Sequence, residues 1–226
     1  MTVATLLLLI AFVSLGRWQW QRGADKQVLW DAFARGSDAA SPLDARGLDD
    51  MARFARIRVS GRYAPQRQFL LDNRTLRGRA GYEVLTPFEL ADGRVVIVNR
   101  GWIASSGDRT RLPSIDFAAP PVSELLGRVD ELPAAGLASG RAPPPVAGPW
   151  PRVTSFPQTT ELAASLGARL EPRVLLLDAG EPHGYAREWR PPGMEPVKHT
   201  SYAVQWWSFA VVLLVLYVGL NLRKPA

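Results

Sequence analysis

The chain reads as an α+β membrane protein, with two terminal transmembrane helices flanking a mainly antiparallel β extracytoplasmic domain with few short helices. Three observations predict this. Residues 2–16 are apolar and carry no charge, and residues 208–222 form a second apolar stretch near the other end. From Arg56 onward the intervening chain alternates apolar and polar side chains with period two, as in Arg56-Ile57-Arg58-Val59-Ser60-Gly61. Uncharged runs at both ends suit hydrocarbon, and alternation is the mark of a half-buried strand.

Taken in order, the first run is TVATLLLLIAFVSLG. At about 1.5 Å per residue it reaches roughly 22 Å, against a hydrocarbon core of about 30 Å. The expectation is that the first residue lies inside the true first helix, or that the bilayer thins locally. A cleaved signal peptide is the rival reading. Against it, no small-x-small site follows; Arg17-Trp18-Gln19-Trp20-Gln21-Arg22 follows instead, in the manner of an interfacial collar. Residues 1–22 are therefore expected to be the first transmembrane helix with its collar, 23–198 the extracytoplasmic domain, 199–222 the second transmembrane helix and 223–226 a cytoplasmic tail.

The second apolar span covers about residues 203–222, with Trp206 and Trp207 at one interface and Arg223-Lys224 at the other. The basic tail favours a cytoplasmic C-terminus, and two crossings then place both termini in the cytoplasm. Arg17, Arg22 and Lys26 vote the other way, although the rule weakens for long translocated segments. Gln19 and Gln205 fall at similar depth on the two helices. A hydrogen bond across the pair is one expectation, and two amides facing headgroups the other.

Within the domain a helix over residues 25–35 continues from the membrane, and residues 37–50 read as a polar linker. Strands are expected over residues 56–61, 68–73, 82–90, 94–102, 122–129 and 173–178. Asp92-Gly93 is a hairpin signal between two of them, and Thr159–Leu166 reads as a short helix capped by Thr159 or Thr160. Residues 134–151 hold Pro143-Pro144-Pro145 and three glycines, and read as an irregular loop with no assignable role.

Composition narrows the chemistry. The chain has no cysteine, so it forms no disulfide, thiolate metal site or covalent c-type haem link. Its three methionines are far apart in sequence, which argues against Cu(I) carriage, and His183 and His199 are too few for a multi-histidine zinc centre. Lys26, Lys198 and Lys224 are the only lysines among 27 basic residues, and the arginines are scattered among acids. That distribution lacks the dense basic face of a nucleic-acid binder. No phosphate loop, Rossmann glycine pattern, G-x-S-x-G or H-E-x-x-H occurs, and binding or assembly is favoured over catalysis.

Two places remain. His199 stands at the mouth of the second span, and helical spacing puts Tyr202, Ala203, Trp206, Phe209 and Ala210 on its face, with Ser201, Gln205 and Ser208 opposite. A neutral imidazole beside flat aromatic surface at a lipid interface can ligate haem iron; an aromatic belt with an incidental histidine is the alternative. In Asn99-Arg100-Gly101-Trp102, Arg100 could grip a carboxylate such as a haem propionate. The alternative is a strand end whose glycine turns and whose tryptophan packs on the sheet.

Leu15-Gly16-Arg17-Trp18-Gln19 with Arg22 and Lys26, Gly61-Arg62-Tyr63, Leu85-Thr86-Pro87, Val98-Asn99-Arg100-Gly101-Trp102, and His199-x-x-Tyr202-Ala203-x-Gln205-Trp206 occur in that order. Over nearly its whole length the chain thereby resembles the surfeit locus protein 1 family. The resemblance implies a non-enzymatic factor of the bacterial cytoplasmic membrane that assists assembly of haem-copper cytochrome c oxidase. It implies haem a as a transient cofactor, oxidase subunit I as partner and haem a synthase as a further one, with the lipid bilayer as surroundings. It carries the role of haem iron ligand onto His199. Trp206 and Tyr202 on the same face, and Arg100, complete the candidate cofactor-binding set. A scaffold that holds an oxidase assembly intermediate without binding haem is the competing function.

Overall fold

The computed structural model describes residues 2–36, 40–43, 47–135 and 140–222. They form two compact units, a helical one from the two chain ends and a β domain of Arg35–Arg190.

In the helical unit, α1 (Thr2–Arg35) is one uninterrupted helix of 34 residues, so the expected membrane span and the expected helix over 25–35 are a single element. α3 (Pro196–Leu222) has 27 residues, about 40 Å at the usual rise. Both are long and apolar enough to cross a membrane. The helices run antiparallel: the Tyr217 hydroxyl meets Thr2 Oγ1 at 3.1 Å near one end, and Lys26 Nζ donates to the Pro192 carbonyl at 3.1 Å near the other. Their buried residues are small and spaced by two turns, Gly16 and Gly23 on α1 and Ala203 and Ala210 on α3. With lipid as solvent there is little hydrophobic drive to pair helices, so close backbone approach and polar contacts must supply it. Gly16 lies under the indole of Trp207, where an added Cβ would come within 2.3 Å of Nε1, and a Cβ on Gly23 would sit 3.4 Å from His199 Cβ.

The β domain contains β1 (Ala40–Pro42), β2 (Arg56–Tyr63), β3 (Phe69–Leu76), β4 (Arg79–Leu90), β5 (Val95–Ala104), β6 (Ser123–Asp130), β7 (Arg152–Thr154) and β8 (Leu170–Leu177), with α2 (Thr159–Leu166) between β7 and β8. The sheet order is β1-β2-β6-β8-β5-β4-β3-β7, and an extra β2–β4 pairing closes β2, β6, β8, β5 and β4 into a barrel. β2 makes both ends of that closure. Arg56–Gly61 pair antiparallel with β6, and Gly61, Arg62 and Tyr63 pair with Leu90, Glu89 and Phe88 of β4.

Most pairings are antiparallel, as expected; β1–β2, β3–β7 and β5–β8 are parallel, which makes the sheet mixed. The expected linker therefore contains a three-residue strand, while its residues 37–39 and 44–46 lie outside the described residues. The β4–β5 hairpin turns at Gly93, whose φ of 83° needs no Cβ, and Leu90 N–H donates to the Arg94 carbonyl across it.

Alternation sorts most of the core into two layers, beside a smaller cluster of Leu70, Tyr82, Val84 and Ile115. Ile57, Val59, Phe88, Leu90, Val96, Val98, Leu125, Val129, Leu175 and Leu177 fill the barrel interior. The opposite-facing Phe69, Leu71, Leu85, Ile97, Val174 and Leu176 are covered by Leu162 and Leu166 of α2. The cap of α2 lies one residue earlier than expected, at Gln158, whose backbone N–H donates to the Glu161 carboxylate at 2.8 Å. The loop over 134–151, of which 136–139 lie outside the described residues, is held onto α2: Arg141 pairs with Glu161, and Ser165 Oγ donates to the Pro145 carbonyl at 2.8 Å.

Candidate functional site

The site starts from a helix end. Pro196 occupies the first position of α3, where its missing N–H costs nothing and its fixed φ suits helical entry. This puts His199 in the first turn, half-buried against α1. His199 Nδ1 lies 2.8 Å from Gln19 Oε1 on α1. An amide oxygen can only accept, so Nδ1 carries a proton, and in the neutral imidazole Nε2 then holds the lone pair. Among the described residues Nε2 has no hydrogen-bond partner.

Along α3 from the histidine, Ala203 and Ala210 are buried and Trp206 is half-buried, while Tyr202 and Phe209 are exposed. The Trp206 ring stacks on Phe12 of α1 at 5.8 Å between centroids and meets Phe209 edge-on at 5.8 Å. Phe12 of the other helix thus packs against the aromatic side chains of this stretch of α3. On the opposite side, Ser201 and Ser208 return their hydroxyls to the carbonyls of Val197 and Val204, and Gln205 is exposed. The Gln19–Gln205 bond does not form, because the helix rotation that buries Ala203 presents His199 to Gln19 instead.

Arg100 belongs to the β domain. It is 1% exposed. Its Nε donates to the His183 carbonyl at 2.7 Å and its Nη1 to Gln68 Oε1 at 2.8 Å and Thr86 Oγ1 at 3.4 Å. The guanidinium carbon stands 3.8 Å from the centre of the Phe117 ring and 5.1 Å from that of Tyr185. Burial pulls the Arg100 pKa down, because the lost hydration outweighs the polar groups around it. Within this domain its role is to tie β5 to β4 and to the segment after β8.

That segment returns along the end of β5, where Trp102 N–H donates to the Ala186 carbonyl at 2.8 Å and Tyr185 N–H to the Arg100 carbonyl at 2.7 Å. Gly101 permits it: its φ is 108°, and a Cβ would lie 2.7 Å from the Ala186 carbonyl oxygen. Tyr63 edges the same cluster, with its ring centre 5.9 Å from the guanidinium carbon. Its hydroxyl is buried without a hydrogen-bond partner, and burial pushes its pKa up to about 12.

His199, Trp206 and Tyr202 thus share one helix face, and Arg100 sits in the barrel. Sequence reasoning missed Phe12 as an aromatic partner, Gly16 as the clearance that admits Trp207, and Gly23 as a buried contact point facing α3. The two-turn spacing of small residues on both helices was the available signal. No group of three or more potential protein metal ligands occurs among the described residues.

Comparison with known proteins agrees with this architecture. The model of the SURF1 family matches residues 6–211. An uncharacterized SURF1-like protein of Mycobacterium bovis is 30% identical over 167 residues, 71% of this chain and 57% of the relative. A SURF1-like protein of Monosiga brevicollis is 26% identical over 234 residues, 92% of this chain and 82% of its own length. One from Rickettsia felis is 28% identical over 105 residues, 44% of this chain and 46% of its own. The chain therefore spans little more than half the length of the mycobacterial relative it matches. With a family match that runs from the first membrane-length helix through the barrel into the second, the chain belongs to the SURF1 family, whose members are implicated in cytochrome oxidase assembly and are assembly factors, not enzymes.

Proposed function

We propose that this protein is a cytochrome c oxidase biogenesis factor that binds haem a and assists its insertion into oxidase subunit I. The observation that carries the reading is His199, held at the head of a membrane-length helix with its Nε2 lone pair uncommitted among the described residues. The donor set fits the group. A neutral imidazole at His199 would hold haem iron, and Trp206, stacked on Phe12, would together with Tyr202 offer aromatic surface along the helices. Haem a, when bound, supplies the iron porphyrin that the oxidase uses as its redox centre. The long apolar tail of haem a suits a site bounded by lipid.

In this reading the protein is a multi-pass protein of the bacterial cytoplasmic membrane. Both termini face the cytoplasm, and the barrel lies outside. Haem a synthase is the donor and subunit I the acceptor. A second reading, a scaffold that never binds haem, rests on the same contact: the Gln19–His199 hydrogen bond would serve only to join the helices.

The test is the visible spectrum of the protein purified after co-expression with a haem a synthase. A haem a band in the wild type that is lost in His199→Ala, with membrane insertion unchanged, is the expected result. No band in the wild type, from membranes that contain haem a, moves the assignment to the scaffold.

A further inference from the structure

We infer that Gln19 is a positioning residue of the haem site, and that α1 is therefore part of the site rather than only an anchor. The inference rests on the haem reading above. His199 Nδ1 and Gln19 Oε1 are 2.8 Å apart although the residues are 180 positions apart in sequence. The contact is built from both sides. Gly23, one turn from Gln19, faces the same stretch of α3: a Cβ there would stand in ordinary contact, 3.4 Å from His199 Cβ. Gly16, three residues before Gln19, leaves room for Trp207. Gln19 thus lies between Gly16 and Gly23, the two buried residues of α1, at helical spacing that puts all three on one face.

The amide oxygen has two effects on the imidazole. It fixes the tautomer, placing the proton on Nδ1 and the lone pair on Nε2, and it fixes the ring plane. A ligating histidine requires such a partner on its other nitrogen, and its loss typically costs about 10–100-fold in affinity. A free imidazole exchanges between tautomers and rotates about its side-chain bonds, so only part of its population presents Nε2 for ligation. By supplying the acceptor from the other helix, the fold makes ligation conditional on helix pairing. Separation of α1 from α3 would release the ring and weaken the ligand, which gives a carrier a route to deliver its cargo.

The test separates this inference from the haem reading by starting without haem. In the ligand-free protein labelled with 15N-histidine, two histidine side chains give signals, and His199→Ala identifies the one of interest. The expected result is a single Nδ1–H tautomer in the wild type, its retention in Gln19→Glu, and a mixture or the Nε2–H form in Gln19→Leu. Titration with haem a should then show affinity reduced about tenfold or more in Gln19→Leu. Gln19→Glu should keep its affinity and shift the haem reduction potential downward, because a charged acceptor strengthens donation from Nε2. An unchanged tautomer in Gln19→Leu overturns the inference whatever haem does. So does a changed tautomer with unchanged haem affinity, or an unshifted potential in Gln19→Glu, a measurement that stands even if Gln19→Leu fails to fold. A wild type with the expected tautomer that binds no haem a refutes the haem reading first, and the positioning role falls with it.

Discussion

Tyr63 shows how the barrel tolerates a polar atom it does not satisfy. Its ring packs edge-on against Phe88 and Phe117 at 5.1 and 5.2 Å, while its hydroxyl is buried and unpartnered. A buried hydroxyl without a partner costs about 1–3 kcal/mol, so Tyr63→Phe is expected to leave neutral-pH stability unchanged or to raise it by about 1 kcal/mol. The alkaline range is more telling. An unfolded tyrosine titrates near pH 10, whereas the folded Tyr63 is pushed up to about 12 by burial. Between those values the unfolded chain has released a proton that the folded chain retains. Stability therefore falls with rising pH, by about 1.4 kcal/mol per unit. The full contribution is present below pH 10 and lost by about 12. Unfolding in urea at pH 9 and at pH 11, compared between wild type and Tyr63→Phe, should show the variant's advantage growing by about 1–1.5 kcal/mol. An equal difference at both pH values would mean that the phenol ionises as freely in the fold as out of it.

At the scale of elements, what could be read in the sequence was what is decided locally. Asp92-Gly93 between two apolar runs specifies the β4–β5 hairpin because a tight turn needs a residue with φ above zero, and Gly93 supplies it. The eight residues of α2 are bounded by an acidic N3 residue and Gly167 in the left-handed conformation, again within a few positions of each other. The parallel pairings are different in kind. β8 inserts between β5 and β6 far from either in sequence, and no turn signal records that choice. β1 has three residues, too few for a period to show. The same reason hid the partner of His199. By depth alone Gln205 was as eligible as His199 to meet Gln19, and only the rotation of α3 that buries Ala203 and Ala210 decides between them. That rotation predicts a cross-link. A chain without native cysteine allows a clean test: Gly23→Cys with Thr200→Cys should oxidise to an intramolecular disulfide, since a Cβ at 23 lies 3.4 Å from Thr200 Oγ1. Adding Gly16→Leu, which drives a side chain into Trp207, should cut the yield severalfold. An unchanged yield would show that the helices do not pair through their glycine face.

For the molecule as a whole, the arrangement of spans constrains function more than any single residue does. If both membrane-length helices cross, as proposed, the two chain ends share one side of the bilayer and the β domain lies on the other. Which side is which depends on charge. Arg223-Lys224 follow the second span directly, and Arg17, Arg22 and Lys26 follow the first on the domain side. The positive-inside preference acts through short flanking segments and fades for loops beyond about 60 residues, so under the proposed topology Arg223-Lys224 weigh more than the basic residues that precede the long domain. Because His199 stands at the domain end of α3, its orientation follows that of the barrel. Single cysteines introduced into the cysteine-free chain read this directly. In spheroplasts, a membrane-impermeant maleimide should label Val122→Cys, a position 73% exposed just before β6, and should leave a cysteine appended after Ala226 unlabelled until the membrane is permeabilised. The reverse pattern would put His199 at the cytoplasmic face. An intermediate-depth ligand there could still meet a membrane-bound donor, but the barrel would then have to dock on oxidase surfaces inside the cell, and the extracytoplasmic hand-over of haem a would be excluded. Labelling of both positions without permeabilisation would show that only one of the helices crosses. The Gln19–His199 pair would then have to form with one helix lying along the surface, which an antiparallel contact running from Thr2–Tyr217 to Lys26–Pro192 does not allow.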